Sequence, residues 1–215
     1  MSKTKIQLVA EIGCNHMGQL NLAKLIINQA KLAGANYVKF QKRDNKTLLS
    51  NKQYYAKHPV PHNSFGKTYG EHREYLEFNT NVHQKIFAYC KKNKIKFIVM
   101  YGQTEASPRM SYLAWSKFSE KIGSIGKALD GSKFKILSKT GKQVKKSFST
   151  GELIYFGKNV SLGYANNLED LKKRDINKGK LFTGDLAYKD NDDYFYIVGR
   201  KNRISKKETC NRFCS

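Results

Sequence analysis

Acidic residues are scarce in this 215-residue chain: 17 aspartates and glutamates stand against 40 lysines and arginines, a formal net charge of +23. Such an excess attracts polyanions in general. It is not gathered into a basic arm, however, and neither an RNP-like aromatic signature nor a helix-turn-helix pattern accompanies it. A basic nucleic-acid or membrane-binding module is therefore kept only as an alternative, and no nucleic-acid partner is expected. Cysteine is also sparse: Cys14, Cys90, Cys210 and Cys214 form no CxxC pair, and no histidines pair at zinc spacing, so neither a disulfide framework nor a structural zinc site is supported. No apolar run approaches the roughly 20 residues that span a bilayer. The apolar stretch in MSKTKIQLVAEIG is too short for a signal peptide, and a cytoplasmic location is the expectation.

What is present supports a core, since 40% of the residues are hydrophobic and the length admits one large domain or two small ones. IQLVAEIG has the texture of a buried strand, LNLAKLIINQAKLAGA carries apolar residues at helical spacing up to Gly34, and YVKFQ is a second short strand; together they make a βαβ unit with parallel strands. A long polar loop is expected from about Arg43 to Thr80, and loops of that length are commonly functional. The helix NVHQKIFAYCKKN then leads into the strand IKFIVM. All five histidines lie between His16 and His83, and beyond residue 101 the texture changes. KFKILS, GELIYFG, KLFTGDLAY and YFYIVGR are short, aromatic or β-branched runs between turns, interrupted by the helical piece NLEDLKKR.

Polar residues stand toward the carboxyl ends of the first two strands: Glu11, then Asn15 and His16, and Lys39 with Gln41 on the second. In parallel α/β enzymes ligands bind at those ends. Residues two apart on a strand face one side, so Lys39 and Gln41 point either into a barrel interior toward an anionic, hydroxylated ligand or outward to water. The segments AEIGCNHMGQLNLAKLIINQAKLAGANYVKFQKR and PHNSFGKTYGEHREYLEF closely resemble the N-acetylneuraminate (sialic acid) synthase family over about residues 5–97. That resemblance implies a TIM barrel condensing phosphoenolpyruvate with an N-acylated mannosamine-type sugar, with a divalent metal such as manganese or magnesium. It implies that Lys39 contacts phosphoenolpyruvate and that Glu11 and Gln41 contact the sugar. The family's metal-binding histidines belong to later strands, so His62 and His72 are expected chiefly to pack the loop.

From about Ile98 onward, VMYGQTEASPRMSYL, GSIGKALDG, GELIYFGKNVSLGYAN and KLFTGDLAYKDNDDYFYIVGRKNRI resemble the adenylate-forming, acyl-CoA synthetase-like family, whose members activate a carboxylate with ATP. The resemblance implies that Tyr101 offers a face to adenine, Thr104 a hydroxyl to phosphate and Glu105 an oxygen to magnesium, while Asp185 and Arg200 bind near the ribose. Departures accompany it: there is no Gly/Ser/Thr-rich phosphate loop ending in lysine, Asp130 stands where proline is usual, and KKETCNRFCS replaces the family's continuation. The expected fold is α/β, an incomplete TIM-barrel-like βαβ segment (1–97) followed by a strand-rich mixed α/β fragment (98–206) and an atypical tail (207–215). The expected function is a fusion of two enzyme-derived pieces with both catalytic sites incomplete.

Overall fold

The computed structural model describes residues 6–107 and 109–201. The tail over 207–215, with Cys210 and Cys214, lies outside the described residues. The chain divides into two compact units, one reaching to Asn93 and the other starting at Lys94.

The first unit opens with strand β1 (Val9–Gly13), helix α1 (Leu20–Leu32) and strand β2 (Tyr37–Phe40). The strands pair in parallel, with Glu11 opposite Lys39, which is the βαβ arrangement expected. α1 ends where Gly34 takes φ +86°, a conformation that glycine adopts without a Cβ penalty. Four short helical pieces follow: α2 (Asn45–Leu48), α3 (Asn51–Tyr54), a 3-10 turn (Pro61–Asn63) and α4 (Tyr69–Tyr75). About half of the polar loop expected over 43–80 is thus helical. The cause is local: Ser50 with Gln53 and Thr68 with Glu71 form capping boxes, each satisfying orphan amides at a helix start. Helix α5 (Thr80–Lys92), capped by Asn79, closes the unit. α1 buries Ala23 and Ile27, and α5 buries Ile86 and Cys90, each pair four residues apart on one face. The helices meet where the Tyr89 hydroxyl donates to Asn28 Oδ1 at 2.8 Å. Burial pushes the Cys90 thiol up to about 11, so it acts as a small core hydrophobe.

The second unit holds two antiparallel sheets. Strands β3 (Val99–Tyr101), β4 (Ser111–Leu113) and β5 (Lys127–Ala128) form the first in that order. The apolar run IKFIVM forms a ladder only at its end, because the partner strand β4 offers just three residues to pair with. Strands β6 (Lys133–Leu137), β7 (Gly151–Phe156), β8 (Lys180–Lys189) and β9 (Phe195–Arg200) make a four-stranded meander. Alternation directs Phe134, Ile136, Leu153, Tyr155 and Leu181 into one core with Met110 and Phe195, as period-two patterning requires. The piece NLEDLKKR holds a single 3-10 turn, Asp170–Lys172. The described residues form a mixed α/β structure without a closed barrel, and no helix among them is long and apolar enough to cross a membrane.

Candidate functional site

In the first unit, Glu11 and Lys39 are brought together directly. Their side chains form an ion pair at 2.6 Å, and each is nearly half exposed. They share the face of the two-stranded sheet that also presents Val9 and Tyr37 to solvent, whereas Ile12 is buried on the other side. An exposed pair of this kind contributes only about 0–1 kcal/mol to stability, so little resists its opening toward a ligand. Gln41 lies one residue beyond β2. Its Oε1 accepts a hydrogen bond from the Arg43 guanidinium, which leaves the amide NH₂ as the outward donor.

Arg43 is held in turn. Its backbone N–H donates to Glu77 Oε2 at 3.1 Å, and its guanidinium lies 3.6 Å from Glu77 Oε1. The Glu77 side chain is 8% exposed, so its charge is kept near a cation able to compensate it. The sequence motifs did not single out Arg43 or Glu77 for this role, because the two are 34 residues apart. Among the described residues no three His, Cys, Asp or Glu side chains gather to hold a metal ion. His72 accepts from Phe65 N–H through Nδ1 at 3.2 Å and lies tilted against His58 with 4.3 Å between ring centroids. His62 sits exposed in the 3-10 turn.

In the second unit the expected residues Tyr101, Asp185 and Arg200 converge on one carboxylate. The Tyr101 hydroxyl donates to Asp185 Oδ2 at 2.5 Å, and Arg200 Nη1 lies 3.1 Å from Oδ1. Gln103 Nε2 adds a bond to Oδ2 at 3.0 Å and another to the Thr183 carbonyl at 2.9 Å. Gln103 was not among the residues expected at this site, since its partners Thr183 and Asp185 lie 80 and 82 residues away. Burial and the neighbouring Asp185 charge raise the Tyr101 pKa strongly, so the phenol remains a donor at any ordinary pH. A carboxylate oxygen accepts about two hydrogen bonds. Oδ2 is filled by Tyr101 and Gln103, while Oδ1 beside Arg200 keeps one acceptor direction that a ribose hydroxyl could use.

Thr104 and Glu105 begin a 3-10 turn, Thr104–Ala106, on the loop leaving β3. Thr104 is exposed. Glu105 Oε1 accepts from the Tyr164 hydroxyl, a contact that raises the Tyr164 pKa to about 12. One carboxylate is compatible with magnesium only when nucleotide phosphates and water complete the octahedron. The Tyr101 ring is half-buried on the core, with its centroid 6.3 Å from that of Phe134, so only part of its face is open to an adenine.

A family model described as the NeuB family matches residues 26–152. The match crosses the division between the two units and extends past residue 97. N-acetylneuraminate-9-phosphate synthase of Homo sapiens is 35% identical over 136 residues, covering 63% of this chain and 36% of that protein. A 2-succinylbenzoate–CoA ligase of Bacillus cereus is 35% identical over 115 residues, covering 54% of this chain and 23% of the ligase. The chain therefore spans only about a quarter to a third of the length of these relatives. Among solved structures, PA1221, an NRPS protein containing adenylation and PCP domains, aligns with a TM-score of 0.53 at 17% identity over 90% of this chain and 33% of that one, a likeness of fold.

Proposed function

The chain belongs to the NeuB family, and from that premise we propose that its first unit carries part of a phosphoenolpyruvate- and sugar-binding surface of a nonulosonic-acid synthase. The observation that carries this reading is the Glu11–Lys39 pair, aligned across two parallel strands and half open to solvent. Lys39 supplies the cation for the phosphate or carboxylate of phosphoenolpyruvate, a charge-assisted contact. Release of Lys39 to that ligand frees Glu11 to accept from a sugar hydroxyl, and Gln41, oriented by Arg43, donates from its amide. The divalent metal of such synthases would supply charge stabilisation when bound, but the described residues offer no ligand set for it. We further propose that this chain alone does not turn over. The test is condensation of phosphoenolpyruvate with N-acetylmannosamine in the presence of manganese; measurable product formation would overturn the claim.

A second reading is favoured by the Asp185 cluster. Similarity to the CoA ligases and the spare acceptor on Oδ1 beside Arg200 support a nucleotide-binding remnant, in which ATP would place its ribose against Asp185 and its magnesium near Glu105. On this reading the chain joins two enzyme-derived segments. ATP protection of the Tyr101 amide in hydrogen exchange supports it, and unchanged exchange at saturating ATP counts against it.

A further inference from the structure

The lysines that look scattered in sequence converge on one face of the four-stranded sheet. Cross-strand register places Lys133 of β6, Phe156 of β7 and Lys180 of β8 in one row. The adjacent row holds Lys135, Ile154 and Phe182 in the same strand order. All six alternate with the core residues Phe134, Tyr155 and Leu181, so both rows lie on the face opposite the core; Ile154 is buried there, while Lys133 and Phe182 are exposed and Lys135, Phe156 and Lys180 are half-buried. The ammonium groups of Lys133, Lys135 and Lys180 lie 5.6, 5.4 and 6.0 Å from the Phe156 ring centroid, and Lys180 also lies 4.3 Å from that of Phe182. Phe182 is 55% exposed. A cleft of about 480 Å³ continues this face, lined by Lys133, Phe156 and Lys158 with Gly157 and Gly179.

The charge here is uncompensated. Ion pairs in this unit use other cations, among them Lys121, Lys189, Arg200 and Lys201, and among the described residues Lys133, Lys135, Lys158 and Lys180 have no carboxylate partner. Like charges held together on a sheet disfavour one another, a cost that a polyanion removes. Bare lysines would suit any polyanion. Exposed phenylalanine between them adds a flat apolar surface, and cations along a groove with aromatic platforms are what single-stranded nucleic acid requires.

We infer that Lys133, Phe156 and Lys180, with Lys135 and Phe182 of the adjacent row, form a binding surface for a single-stranded polynucleotide, with phosphates on the lysines and a base stacked on Phe182. The surface is distinct from the residues assigned to phosphoenolpyruvate, sugar or ATP. The test uses the full chain and anisotropy of a fluorescein-labelled oligothymidylate about 12 nucleotides long, titrated between about 50 and 200 mM salt. Replacing Lys133, Lys135 and Lys180 by alanine should lower the magnitude of the log–log salt slope by about 2, since each single-strand phosphate contact contributes about 0.7. The same replacement at the exposed Lys52, Lys91 and Lys92 should leave it nearly unchanged. Phe182→Ala should weaken oligothymidylate binding about fivefold or more, while competition by inorganic polyphosphate stays the same. Equal effects of the two triple variants would overturn the inference by making net charge the only cause. So would a Phe182→Ala protein that binds the oligonucleotide as before, since the face would then hold polyanions without regard to bases.

Discussion

The hydroxyl of Tyr101 donates to Asp185 Oδ2 at 2.5 Å across 84 residues of sequence. One bond thus fastens the loop strand β3 to the long strand β8, and Gln103 and Arg200 complete the same knot. Tyr101→Phe should cost about 1.5–3 kcal/mol, as expected for a hydrogen bond to a charged group. Asp185→Ala should cost about 3 kcal/mol or more, because it strands a largely covered arginine. Urea unfolding followed by tyrosine and tryptophan fluorescence measures both, and an unchanged midpoint in Tyr101→Phe would show that the bond contributes nothing.

Gly126 has φ +83°, and a Cβ there would sit 1.9 Å from the Tyr112 carbonyl oxygen. Its amide is held by Ser124 Oγ at 2.9 Å, and its carbonyl accepts from Phe195 N–H at 3.2 Å. The segment therefore has little room to retreat. Gly126→Ala should destabilise the second unit by roughly 1–3 kcal/mol from backbone strain, with the steric clash added. Gly123→Ala, where a Cβ meets nothing at φ +85°, isolates the backbone cost and should be milder in the same urea titration.

His16 is 2% exposed and stacks on Phe78 with ring centroids 3.8 Å apart, while its Nδ1 accepts from Gly18 N–H. Burial, reinforced by the nearby His83, lowers its pKa; burial likewise lowers those of His72 and His83. The unfolded chain, titrating near 6.5, then binds protons before the folded one. The stability of the first unit should be complete above about pH 6.5 and should drain away as pH falls through the lower folded values. Thermal melts at about pH 7.5 and 5.5 measure this. A higher melting temperature at the acid value would contradict the assignment of these imidazoles as neutral.

The segment after α5 carries Lys94 and Lys96, both exposed, with Lys94 at φ +56° and no regular structure until β3 begins at Val99. Exposed irregular backbone is where proteases cut first. Brief trypsin treatment should cleave at Lys94 or Lys96 ahead of the many lysines inside elements. First cuts inside α1 or β8 would contradict the division at Asn93.

Much of this fold was legible because its signals are periodic. The βαβ start and the four strands of the meander follow from apolar spacing, and their bounds differ from the expected runs by a few residues. The helices between Arg43 and Thr80 were missed because four to seven residues carry no measurable apolar period. Their Ser50–Gln53 and Thr68–Glu71 capping boxes were nevertheless present in the sequence. At the sites, motif residues such as Glu11, Lys39, Tyr101 and Asp185 could be named in advance. Their supports could not: Glu77 beneath Arg43, Gln103 beside Asp185 and Tyr164 on Glu105 depend on long-range placement. The lysine and phenylalanine rows are hidden for the same reason, since strand register alone aligns them.

The most direct measurement is calorimetric titration of phosphoenolpyruvate into the full chain with manganese present, alongside Lys39→Ala. The account predicts weak binding, roughly millimolar, which Lys39→Ala abolishes, and no heat of condensation when N-acetylmannosamine is added. Binding that survives Lys39→Ala, or sustained turnover by the unaltered chain, would contradict it.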